Sequence, residues 1–74
     1  MAGEVICIGV GTGSVHDTNV RTYAAMFNLP VNQCESNGEY ICVGIGTGAM
    51  AAIHAFVLTS YANANSLPVT SSCP

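Results

Sequence analysis

Glu4-Val-Ile-Cys-Ile-Gly-Val-Gly-Thr-Gly-Ser14 returns 35 residues later as Glu39-Tyr-Ile-Cys-Val-Gly-Ile-Gly-Thr-Gly-Ala49, with seven identities in eleven positions. Further along, Leu29-Pro30-Val31 recurs as Leu67-Pro68-Val69 at an offset of 38, so the second copy holds three extra residues after its glycine motif. Three residues are close to one helical turn. The copies span about 4–35 and 39–73 of the 74-residue chain. Two copies cannot stack a solenoid core, so the repeat implies one pseudo-twofold domain covering 1–74.

Each copy runs from a β-branched stretch (Val5 to Val10, Tyr40 to Ile45) through glycines into a string of helix formers, the signature of strand, turn and helix. The first helix is expected to start near Ser14 or Asp17, to turn Val20, Ala24 and Phe27 inward, and to stop before Asn28 and Pro30. The second is expected over about Ala49 to Asn63. It carries Met50, Ile53, Val57 and Tyr61 along one stripe and is apolar nearly all round. Polar runs then follow, Val31 to Glu35 and Val69 to Cys73. Proline stands just before each, which suits edge strands. Ser36-Asn37-Gly38 supplies the turn that folds the first of these back on Tyr40 to Ile45.

The order is βαββαβ, which predicts an α+β, ferredoxin-like domain: an antiparallel sheet with strands one and three central and both helices on one face. The two most apolar runs fall on the central strands. Period-two alternation puts Ile6, Ile8, Val10, Ile41, Val43 and Ile45 under the helices. Val5, Cys7, Gly9, Tyr40, Cys42 and Gly44 then share the other face, which is small, smooth and apolar. It is the expected contact between copies of the chain.

Four acids (Glu4, Asp17, Glu35, Glu39) face one base, Arg21, and lysine is absent, for a net charge of −3. Without a basic patch, binding to nucleic acid or an anionic membrane is disfavoured. Ile41 to Leu58 holds no charge, but its glycines, His54 and the lack of flanking Lys or Arg favour a strand, turn and buried helix over a membrane span. Met-Ala-Gly-Glu is unlike a signal peptide, so the expected location is cytoplasmic. Cys7, Cys34, Cys42 and Cys73 are then expected as buried free thiols, with no zinc-site spacing among them.

The Gly-x-Gly-Thr-Gly turns are the leading functional candidates. Backbone N–H groups in such a turn, together with a helix N-terminus and a threonine hydroxyl, can hold a carboxylate or phosphate. The pattern is neither a Rossmann fingerprint nor a Walker loop. The candidate ligand-binding residues are Gly11, Thr12, Gly13, Ser14, His16, Asp17 and Arg21 in the first copy and Gly46, Thr47 and Gly48 in the second. The first copy is the richer in side chains. His54 is expected to pack against neighbours, and no metal or cofactor is expected.

Gly9-Val-Gly-Thr-Gly-Ser-Val15 leading to Asn28-Leu-Pro-Val31 resembles the strand–glycine–helix elements of the leucine-sensing regulatory domain of 2-isopropylmalate synthases. Gly44-Ile-Gly-Thr-Gly48 through Ser60-Tyr-Ala-Asn-Ala-Asn65 is similar to that domain's closing helix. Over these short segments the resemblance implies a dimerising module that binds a small molecule. The residues lead to the same class: a small homo-oligomeric, non-catalytic binding protein for an anionic metabolite or nucleotide. The alternatives are a self-assembly protein without ligand and a small enzyme using His16 and Asp17 between subunits.

Overall fold

The computed structural model describes residues 4–74. The elements are β1 (Glu4–Gly9), α1 (Val15–Met26), β2 (Val31–Gln33), β3 (Tyr40–Gly46), α2 (Ala49–Ala64) and β4 (Val69–Thr70). The strands form one sheet in the order β2-β3-β1-β4, with every neighbouring pair antiparallel. The long apolar strands thus lie inside, and the edge strands are shorter than the polar runs that contain them. Among the described residues, no helix is long and apolar enough to cross a membrane.

Register decides the faces. β1 and β3 pair with Cys7 opposite Cys42 and Ile8 opposite Ile41. Ile8, Val10, Ile41, Val43 and Ile45 then form the main core with Val20 and Ala24 of α1 and Ala51, Leu58 and Ala62 of α2. Both helices therefore cover one face, and their small inward residues let them lie close to the sheet.

Each helix ends in the same way. Asn28 and Ser66 adopt left-handed φ of 57° and 58°. Leu29 N–H donates to Ala24 O and Leu67 N–H to Ala62 O, both at 2.8 Å, while Asn28 and Ser66 bond back to Ala25 and Asn63. These are paired Schellman caps, which satisfy carbonyls the helix leaves free and turn the chain sharply. The prolines that follow are laid over the opposite face. Gly9 N–H bonds Pro68 O and Gly44 N–H bonds Pro30 O, each at 2.9 Å. A Cβ on Gly9 would come within 2.7 Å of Pro68, and one on Gly44 within 2.9 Å of Pro30. Glycine is required at both places for that close approach.

The cysteines correct the expectation of free thiols. Cys7 is bonded to Cys42, and Cys34 to Cys73. The cause is the repeat: Cys7 and Cys42 occupy matching positions of paired strands, while the end of β2 and the C-terminal tail bring Cys34 and Cys73 over the same face. Cys7, Cys34 and Cys42, with Tyr40 against them, make a second buried cluster. Ser36 Oγ donates to Pro74 O at 2.6 Å and holds the tail there. The middle of the face read from sequence as a contact between copies is therefore covered by the chain itself. Val5 remains 40% exposed, beside an open depression of about 400 Å³ lined by Pro30, Asn32, Cys42 and Gly44.

Left-handed backbone costs an ordinary residue about 1–2 kcal/mol, and asparagine is among those that tolerate it best. Ser66→Gly should therefore stabilise the fold by roughly 0.5–1 kcal/mol, after allowing for glycine's greater unfolded-state freedom. Asn28→Gly should gain less. Urea denaturation midpoints of the oxidised proteins check the order of the two effects.

Candidate functional site

The first glycine turn is closed by the chain's own acids. Gly11 and Gly13 adopt φ of 84° and 76°, which is why glycine stands there. The Thr12 N–H donates to Glu39 Oε1 at 2.9 Å, and the Gly11 N–H to Glu39 O at 3.0 Å. Thr12 Oγ1 donates to Gly38 O at 2.7 Å. At the helix start, Ser14 Oγ accepts from Asp17 N–H at 3.2 Å and donates to Val10 O at 2.6 Å. Asp17 takes up Gly13 N–H at 3.4 Å and pairs with Arg21 at 2.7 Å. The groups proposed for an external anion are thus engaged internally: Glu39 sits where a ligand carboxylate would, and Arg21 is matched by Asp17.

The second turn has the same backbone and none of the acids. Gly46 and Gly48 adopt φ of 80° and 89°, and a Cβ on either would meet nothing within 4 Å. Gly48 stands at the N-cap of α2, where no side chain makes a capping bond and no acid lies in the first turn. Thr47 is exposed. By the repeat, Glu4 is the counterpart of Glu39. It pairs with Gly46 across β1 and β3, and among the described residues no side-chain bond from it to this turn is formed.

His16 faces α2 instead of joining Asp17 and Arg21 in a cleft. Its Nδ1 is hydrogen-bonded to the Tyr61 hydroxyl at 2.7 Å, and Asn19 Nδ2 donates to the same oxygen at 3.0 Å. The reciprocal bond joins Tyr23 OH and His54 Nδ1 at 2.8 Å. His16 and His54 are 38 residues apart, as are Tyr23 and Tyr61, so the pseudo-twofold swaps the two bonds. Sequence reading placed His54 in packing but missed these pairs; the signal was the same offset that relates the two Leu-Pro-Val motifs. Phe27 completes the packing, with its ring 4.9 Å from His54 and 4.8 Å from Tyr23. Beyond Tyr23, a groove of about 80 Å³ between the helices is lined by Asn19, Val20, Val57, Leu58 and Tyr61.

The sheet separates the two chemically capable residue types. The histidines lie in the helical layer, and all four cysteine sulfurs lie on the other face. Among the described residues, no thiol sulfur is therefore placed beside an imidazole for nucleophilic catalysis. Comparison with family models, curated proteins and solved structures returns no match.

The outer side of α2 is the remaining feature. Met50, Ile53, Phe56 and Val57 are 51%, 51%, 73% and 37% exposed, and Met26 and Phe27 at the end of α1 are 71% and 43% exposed. None of the sixteen residues of α2 is charged.

The two tyrosines should respond differently to loss of their hydroxyls. Tyr23→Phe leaves His54, only 4% exposed, without its partner and should cost about 1–3 kcal/mol. Tyr61→Phe frees the more accessible His16 to bond water, and should cost less than about 1 kcal/mol. Equilibrium urea unfolding of the two variants measures the difference.

Proposed function

We propose that the chain is a small, non-catalytic module that associates with a second copy of itself through the outer side of α2. The exposed, uncharged apolar surface of that helix carries this reading. Apolar patches of this kind on a small domain mark sites of association. All five charged residues of the chain lie outside α2, so two copies meeting there oppose no like charges, despite a net −3 each. A standard interface covers about 800 Å² per partner, roughly a fifth of this chain's 4242 Å². With extents of 29 × 24 × 19 Å, the molecule offers a face large enough for it when Met26 and Phe27 extend the stripe of Met50, Ile53 and Phe56.

The same reading takes the architecture as ferredoxin-like, supported by β1 and β3 at the centre and by both helices on one face. It also places the protein in an oxidising compartment in place of the cytoplasm, because structural disulfides persist there. The resemblance to a regulatory, dimerising domain supports a module of this kind.

Sedimentation velocity tests the association. The oxidised protein should sediment as a dimer at micromolar concentration, and Phe56→Glu should sediment as a monomer with unchanged circular dichroism. A wild-type monomer throughout the accessible concentration range would remove the proposal.

A second reading is favoured by the unequal turns: a small phosphate- or carboxylate-bearing ligand held at Gly46, Thr47 and Gly48. Glu39 occupies the first turn as an internal anion, and the second turn offers equivalent N–H groups at the start of α2 without one. Titration with inorganic phosphate, followed by amide NMR shifts, should move Thr47, Gly48 and Ala49 and leave Thr12, Gly13 and Ser14 unmoved. Glu39→Ala should bring the first turn into the response. Equal indifference of both turns in both proteins would discard this reading.

A further inference from the structure

We infer that the four cysteines, once reduced, form a tetrahedral all-thiolate site for one thiophilic divalent cation of the Zn²⁺ class. Their Sγ atoms lie within 4.8 Å of one another, though they come from four separate segments: β1, the β2–β3 connection, β3 and the C-terminal tail. Cys42 Sγ is the hub. It is bonded to Cys7 and lies 3.4 Å from both Cys34 Sγ and Cys73 Sγ.

A tetrahedral Zn–S₄ centre with bonds of about 2.3 Å separates its sulfurs by roughly 3.8 Å. The non-bonded contacts to Cys42 are therefore already within about 0.4 Å of that spacing. Reduction frees the two bonded pairs to part, and the remaining pairs, all within 4.8 Å, have about 1 Å to close. The surroundings fit as well. Cys7, Cys34 and Cys42 are buried while Cys73 is exposed, so the site has a dry interior and an open side for entry. A donor set of four sulfurs, with no carboxylate or imidazole in it, selects soft cations over Mg²⁺ or Ca²⁺.

The chemistry balances with a dithiol as reductant. Two equivalents of dithiol transfer four electrons and four protons to the two disulfides and are left as two cyclic disulfides. Four protein thiols result. Binding of Zn²⁺ then releases the protons these thiols still carry. Disulfide and cation forms are alternative states of the same four sulfurs. Both tie β2 and the tail to the central strands.

The test reduces the whole chain with dithiothreitol, removes the reductant anaerobically and titrates with Co²⁺. One equivalent should give thiolate-to-cobalt charge transfer and intense visible bands of a tetrahedral centre. One equivalent of Zn²⁺ should bleach both. Circular dichroism followed in parallel should show the bound ion restoring any structure lost on reduction. The oxidised protein should give no such spectrum, and Cys73→Ser, with three thiolates left, should bind at least about tenfold more weakly. Weak octahedral cobalt bands overturn the inference. So do cobalt binding that leaves a reduced chain unfolded and an unchanged affinity in Cys73→Ser.

Discussion

The pairing of β1 with β3 that sets Cys7 against Cys42 is the constraint on which the rest of this molecule depends. Side chains alternate across a sheet, so a slip of one residue would turn every isoleucine of one strand away from the helices and its cysteine toward them. The two strands also come from the two copies of the repeat, and the equivalent residues Cys7 and Cys42 face each other, with Ile8 opposite Ile41 and Ile6 opposite Val43 on either side. That single register generates an approximate twofold relation for the whole chain. It lays Pro68 on Gly9 and Pro30 on Gly44 through matching hydrogen bonds, and it joins the helices through His16 with Tyr61 and His54 with Tyr23. One disulfide joins equivalent residues directly, and the other joins the corresponding ends of the two halves.

Function is to be sought where the symmetry fails. The frame tolerates divergence only at sites that do not hold it together, and the glycine turns and outer helix surfaces are such sites. The first turn has Glu39, Ser14 and Asp17 to satisfy its N–H groups, while the second ends in Gly48 and Ala49 with no acid. Likewise α1 carries Asp17 and Arg21 outward, and α2 presents Met50, Ile53 and Phe56. The first turn is closed by Ser14 and Asp17 and by Glu39 from the start of the second copy, and the second is left with an uncapped helix and an apolar flank. The polar side chains that made the first copy the richer candidate in the sequence serve there as internal caps.

The positions of strands and helices along the chain and the division of the sheet into two faces were legible because they follow from local periodicity. Ile6 to Val10 and Ile41 to Ile45 alternate cleanly, and Ser14, Asn28 and Pro30 bracket α1. What escaped local reading lies between the copies. Nothing near Cys34 indicates Cys73, and nothing near His16 indicates Tyr61. The offset of 38, which relates His16 to His54 and Tyr23 to Tyr61, marks the two histidine–tyrosine bonds as a matched set, while Cys34 and Cys73 stand 39 apart and are joined only by the folded chain. The expectation of free thiols came from the N-terminal tetrapeptide, a compartment argument, and the geometry of the paired strands overrode it.

The thinness of the second face explains why sulfur gathers there. On the helix side, isoleucine, valine and leucine fill a core of ordinary kind. On the other side, Gly9 and Gly44 must admit proline, which leaves room over the middle of the central strands for cysteines with Tyr40 against them. A chain of this length draws only about 3–5 kcal/mol from its single core. Cross-links spanning 35 and 39 residues each remove unfolded-state freedom worth about 4 kcal/mol in the chain-entropy picture, though their effects are not additive. The sulfur cluster thus does for the second face what burial cannot. Any chemistry that replaces the disulfides must still fasten β2 and the tail to the central strands, and four converging thiolates can do so around one cation.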